Sequence, residues 1–121
     1  MPTVKIGLVG SRFQADCIAA SVRAAPDEAE VVAVASPTPG NAEAFARRHG
    51  IPRAHADYRH LLADPEVELV VVTAPNRLHA EITIAAARAG KHVVCEKPLC
   101  VTPEEADAML DACARAGVLL L

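Results

Sequence analysis

Short apolar runs recur along this chain, each followed by a stretch of helical periodicity, and that alternation restricts the fold more than any other feature. The runs occupy Val4–Val9 and residues 30–36, 68–73, 92–96 and 118–121. The third, Glu68-Leu69-Val70-Val71-Val72-Thr73, shows no polar alternation, so both of its faces must be covered and its expected place is the sheet centre. Residues 51–57 leave room for one further, brief strand. Strands that alternate with helices in this way predict an α/β fold: a doubly wound parallel sheet between two helical layers.

The helical stretches carry their own signals. Ala15, Ile18, Ala19 and Val22 recur on one face, and Pro26 stops that helix. Thr38-Pro39 reads as an N-cap with proline at the first helical position, Ala42, Phe45 and Ala46 face inward, and Gly50 ends the helix. Asp57 is placed to cap a short turn over residues 58–62. A helix from about residue 76 to 89 presents Leu78, Ile82, Ala85, Ala86 and Ala89 on one side and stops at Gly90. Thr102-Pro103-Glu104-Glu105 is a capping box, followed by an apolar stripe of Ala106, Met109, Leu110, Cys113 and Ala114, and Gly117 closes that helix.

Size and composition bound the rest. A length of 121 residues is that of one domain, 1–121, and with aromatics at 2% the core must be built from Ala, Val, Leu and Ile. The net charge of −3, without a basic stripe, argues against nucleic acid as a partner. No run approaches the roughly 18 apolar residues of a membrane span, and no signal-peptide pattern precedes the first strand, so a cytoplasmic protein is expected. Cys17, Cys95, Cys100 and Cys113 form no C-x-x-C pair and read as buried thiols, with no metal site. The chain stops at Leu121 inside a strand pattern, and it is expected to be the first part of a longer protein.

In doubly wound sheets ligands bind beyond the carboxyl ends of the strands. Here those ends are residues 10–14, 36–38, 73–76 and 96–98. Gly10-Ser11-Arg12-Phe13-Gln14-Ala15 approximates the Gly-x-Gly-x-x-Gly/Ala turn that admits a pyrophosphate to a helix N-terminus, with Arg12 in place of the second glycine. Ser36 stands where an acidic residue usually accepts hydrogen bonds from an adenosine ribose, a change that tilts the cofactor toward NADP over NAD. Glu96-Lys97-Pro98 puts two ionisable residues directly after a buried strand, where a lysine could stabilise negative charge on a substrate oxygen.

Gly7-Leu8-Val9-Gly10, Thr73-Ala74-Pro75-Asn76-Arg77-Leu78-His79-Ala80-Glu81, residues 89–99 with Cys95-Glu96-Lys97-Pro98, and Ala116-Gly117-Val118 together resemble the family of glucose-fructose oxidoreductase, inositol dehydrogenase and the rhizopine-catabolism dehydrogenases (Gfo/Idh/MocA). The resemblance covers the whole chain, which corresponds to the N-terminal Rossmann half of a typical member. It implies an NAD(P)-dependent oxidoreductase of sugars, polyols or related hydroxyl compounds as the parent protein. Gly10, Ser11, Arg12, Phe13 and Gln14 would hold the pyrophosphate, and Ser36 and Thr38 the adenosine ribose or its phosphate. Thr73, Pro75, Asn76 and His79 would line the middle of the cofactor. Glu96, Lys97 and Pro98 would lie beside the nicotinamide, with Lys97 as the catalytic contact to substrate and a cis peptide bond before Pro98. Members also carry a sheet-rich α+β second domain with the catalytic histidine, most of the substrate pocket and the oligomer interface; this chain lacks it and is expected to be inactive alone, whereas the parent is expected to be a homo-oligomer. His49, His55, His60 and His92 read as surface or packing residues. The alternative reading is a module that binds or senses a dinucleotide without chemistry.

Overall fold

A computed structural model describes residues 2–121. The chain forms β1 (Val4–Val9), α1 (Phe13–Arg23), β2 (Ala29–Ala35), α2 (Asn41–His49), β3 (Arg53–His55), α3 (Tyr58–Leu62), β4 (Leu69–Val72), α4 (His79–Arg88), β5 (His92–Cys95) and α5 (Pro103–Ala116), with a 3-10 turn over Asn76–Leu78 leading into α4. The strands make one parallel sheet in the order β3-β2-β1-β4-β5. Beyond β5, the N–H groups of Val93 and Cys95 donate to the carbonyls of Leu119 and Leu121, each at 2.9 Å, so the last residues begin a further parallel pairing.

Two apolar clusters fill the spaces on either side of the sheet. Ala15, Ala19, Ala42 and Phe45 bring α1 and α2 against Ile6, Leu8, Val34 and Val71. On the opposite face, Leu61, Leu62, Ile82 and Ala86 of α3 and α4 cover Val32, Val70, Val72 and Val93. Gly7 of β1 faces α3, and a Cβ there would stand 2.6 Å from Leu61 Cδ2, so the glycine lets helix and strand approach closely. Small residues on both layers thus stand where large rings are scarce, and packing density is kept by close approach.

Several expectations are corrected. The strand at the sheet centre is β1, flanked by β2 and β4, whereas the apolar β4 sits one place out. Its continuous apolarity reports that both faces are covered, which is true of any interior strand here. Helix α2 begins at Asn41 instead of Pro39, and Thr38 provides no side-chain cap. Thr38 and Pro39 belong to a tight turn closed by Asn41 N–H to Thr38 O at 3.1 Å. Gly40 stands at φ 83° and ψ −16°, and a proline followed by a positive-φ glycine is the signature of a type II turn. In the α5 stripe only Met109 and Cys113 are buried, while Leu110 is 54% exposed, because α5 rests on α4 and not on the sheet. Ala89 is exposed. Of the cysteines, Cys113 alone is buried and the other three are half-buried.

The remaining caps follow the sequence. Asp57 accepts from the Arg59 N–H at 2.8 Å, and Thr102 and Glu105 complete their capping box at the start of α5. Among the described residues, no helix is long and apolar enough to cross a membrane.

Candidate functional site

The sheet order reverses at β1, so the turn after that strand lies between the ends of β2 and β4. Gly10 has φ 121°, and a Cβ there would stand 2.2 Å from Thr73 Oγ1. The Thr73 hydroxyl donates to Val9 O at 3.0 Å, which fixes the end of β4 against the turn. Arg12 is the N-cap of α1 in extended conformation and makes no side-chain cap, so the first N–H groups of α1 lack an internal partner. Uncapped amides at the end of an 11-residue helix, over a glycine that leaves no room for a side chain, fit a dinucleotide pyrophosphate.

A crevice of about 490 Å³ opens beside this turn, lined by Gly10, Ser11, Arg12, Ser36, Thr38, Thr73 and Pro75 together with Asn41, Asp57, Tyr58, Arg59 and Arg77. Ser11 Oγ donates to Ser36 Oγ at 3.0 Å, joining the ends of β1 and β2, and Ser36 is buried. Ser36 N–H in turn donates to His55 O at 3.0 Å, which brings β3 and the start of α3 to the crevice wall. There the Arg59 guanidinium lies 5.3 Å from the centre of the Tyr58 ring and 3.2 Å from Asp57 Oδ2. The Arg59 backbone N–H, above all, holds the Asp57 carboxyl below its usual value. Tyr58 donates to Glu81 Oε2 at 2.7 Å, and burial with that carboxylate pushes the phenol up to about 12.

On the other side of Gly10, β5 ends in the turn formed by Glu96, Lys97 and Pro98, with a cis peptide bond between Lys97 and Pro98. Glu96 N–H donates to Val72 O at 3.0 Å, and the Glu96 carboxylate accepts from Gln14 Nε2 at 3.2 Å. Lys97 is exposed, and among the described residues its ammonium has no hydrogen-bond or ion-pair partner. A free cation on an anchored turn is available to a ligand oxygen.

The model of the oxidoreductase family GFO_IDH_MocA, NAD-binding Rossmann fold, matches residues 4–121. The chain belongs to the Gfo/Idh/MocA family. It is 41% identical to levoglucosan dehydrogenase of Pseudarthrobacter phenanthrenivorans over 121 residues, covering 93% of this chain and 30% of that protein. It is 45% identical to D-xylose 1-dehydrogenase (NADP(+)) 2 of Haloferax volcanii over 94 residues, 78% of this chain and 29% of that one. Among solved structures, the WlbA dehydrogenase from Bordetella pertussis in complex with NADH and UDP-GlcNAcA superposes with TM-score 0.94 at 30% identity, over 98% of this chain and 36% of that one. The chain therefore spans about a third of the length of these relatives.

Within this Gfo/Idh/MocA domain, Gly10, Ser11, Arg12, Ser36, Thr38, Thr73 and Pro75 converge on one crevice. Glu96, Lys97 and Pro98 lie outside its wall, with Gln14 reaching across to Glu96. Phe13 and Asn76 are exposed and do not line it. His79 is 1% exposed and lies beneath the strand ends, with both ring nitrogens facing backbone carbonyls. Sequence reasoning missed Asn41, Tyr58, Arg59 and Arg77 as wall residues. Asp57 was seen only as a cap, although a brief third strand paired with β2 was the signal that the next residues reach the end of that strand.

Proposed function

We propose that the protein carrying this chain is an NAD(P)-dependent dehydrogenase or reductase acting on a CH–OH group, or the corresponding carbonyl, of a sugar, polyol or related hydroxyl compound. This chain, 1–121, is its cofactor-binding domain. The observation that carries this reading is the juxtaposition of the uncapped α1 N-terminus over Gly10 with the unpaired Lys97 at the end of β5. Names of relatives support the substrate class, since the similar proteins are dehydrogenases of levoglucosan and D-xylose.

When bound, the nicotinamide supplies the site that accepts or donates hydride. The amides of residues 11–14 hold the pyrophosphate, Ser36 and Thr38 the adenosine ribose, and Thr73, Pro75 and Asn76 the middle of the cofactor. Glu96 and Lys97 flank the nicotinamide end. Lys97 donates a hydrogen bond to the substrate oxygen and stabilises the negative charge that accumulates there as hydride moves. NADP is favoured over NAD, because a serine at position 36 does not repel a 2′-phosphate as a carboxylate would, and Arg12 lies on the same crevice wall. One solved relative holds NADH and another protein is named for NADP(+), so both occur among similar proteins. The parent is a cytoplasmic homo-oligomer in this reading and binds neither nucleic acid nor membrane.

Calorimetric titration with NADP and NAD, followed by assay of the full-length protein on a panel of sugars and polyols, tests the proposal. The expected result is cofactor binding by the 121-residue chain without turnover, turnover by the full-length protein, and a fall in kcat on the order of 10²-fold for Lys97→Ala. Turnover unchanged by Lys97→Ala would remove that residue from the mechanism.

A further inference from the structure

His79 is the first residue of α4 and is buried beneath the strand ends. Its Nε2 lies 2.8 Å from Ala74 O and its Nδ1 lies 2.9 Å from Pro98 O. These two carbonyls belong to the turns that follow β4 and β5, one carrying Thr73, Pro75 and Asn76, the other Glu96 and Lys97. Carbonyl oxygens only accept. A neutral imidazole has a single N–H and donates to one of them at a time, whereas an imidazolium donates to both. Packing alone does not account for an imidazole here, because an apolar side chain would fill the space without the cost of burying a polar ring.

The turn after β5 has few other supports. Beyond Glu96, whose N–H is bonded to Val72 O, no backbone N–H or C=O of Lys97 or Pro98 has another hydrogen-bond partner among the described residues. The Cys95 thiol reaches Leu99 O at 3.9 Å, a weak contact, and the Gln14 to Glu96 bond is exposed to solvent. The buried imidazole is thus the main internal restraint on the peptide that carries Lys97.

We propose that His79 is a positioning residue that clamps the Ala74 and Pro98 carbonyls and so sets the distance between the β4 and β5 turns, placing Lys97 against the substrate oxygen. The part that concerns Lys97 rests on the function proposed above. A displacement of about 1 Å at a reacting group can cost on the order of 10²-fold in rate, so loss of the clamp acts on kcat more than on cofactor binding.

The test uses the full-length protein and compares His79→Ala with Phe45→Leu, a core substitution on the opposite face of the sheet that matches a general loss of stability without touching either turn. Hydrogen exchange read by mass spectrometry on overlapping peptides, without cofactor or substrate, is expected to accelerate at least tenfold at the Glu96 amide, which donates to Val72 O, in His79→Ala and not in Phe45→Leu. In steady-state assay, His79→Ala is expected to lower kcat by ten- to a hundredfold while KM for the cofactor changes less than threefold. If His79→Ala does not fold, His79→Leu, which fills the space and donates nothing, is read in the same way. Unchanged exchange at the Glu96 amide, or a kcat loss reproduced by Phe45→Leu, would overturn the proposal. Because exchange needs no reaction, it decides the clamp even if the full-length protein turns over no sugar or polyol.

Discussion

On the β2 side of Gly10 the crevice is walled by side chains, with Ser11 bonded to Ser36 and with Asp57, Tyr58 and Arg59 brought in by β3 and α3. On the β5 side there is no such wall: Lys97 is exposed, and its turn is restrained from behind by His79 and from the flank by Gln14. The first side encloses and the second presents. Enclosure suits a part of a ligand that must be held, and presentation suits a part that must meet another molecule. The same distinction separates binding energy from chemistry in an enzyme, where groups that contact the reacting atoms need access and fixed position together.

Substitution at Gly10 should damage both sides at once. In Gly10→Ala the new Cβ would stand 2.2 Å from Thr73 Oγ1, at φ 121°. The strained backbone costs about 1–3 kcal/mol, and the forced contact about 1–3 kcal/mol more. Chemical denaturation should register that loss, and affinity for both dinucleotides should fall at least tenfold. Unaltered stability and affinity would show that the turn relaxes and that the crevice does not depend on it.

Arg12→Gly sharpens the contrast by acting on the enclosed side alone. If the guanidinium assists a 2′-phosphate, NADP affinity falls about tenfold, in line with one charge-assisted contact, while NAD affinity holds or improves. Equal changes for the two cofactors would eliminate Arg12 as a selector. The expected kcat with saturating cofactor is unchanged.

The smallest effect lies at the rim. This chain has one tyrosine and no tryptophan, so ultraviolet absorbance of the phenolate reports Tyr58 alone. Its proton is held more tightly in the folded chain than in the unfolded one, where the ordinary value is 10.0, so stability should decline as pH rises from about 10 toward about 12. Glu81→Gln should bring the titration midpoint down. A midpoint near 10 in the native chain would mean that the Tyr58 to Glu81 bond is not kept in solution.

Which parts of this could be read beforehand follows from how local each signal is. The strands β1 to β5, the glycine turn and the Asp57 and Thr102 caps are set by neighbouring residues and stand within about two residues of where the sequence places them, whereas residues 118–121 make only an isolated bridge to Val93. The start of α2 was lost because Thr-Pro satisfies a helix-cap pattern and a turn pattern equally, and Gly40 decides between them only through its positive φ. Leu110 was assigned to the core because periodicity marks an apolar face without saying what lies opposite it. His79 shows the same limit at the site. Its spacing places it beside a strand end, but whether a ring points into a crevice or beneath it depends on the turn after β5, which is 19 residues further along.

One contact carries a consequence for assembly. Gln14 and Glu96 meet at 3.2 Å although 82 residues separate them, and the contact exists only when β1, β4 and β5 share one sheet. Contacts so distant in sequence form late, since closing the long intervening loop costs more entropy than local pairing does. A nascent chain would therefore lack a complete cofactor site until β5 has joined the sheet. A ligand that recognises only the finished arrangement stabilises all of it by mass action, so a bound dinucleotide would act as a folding partner for the whole sheet.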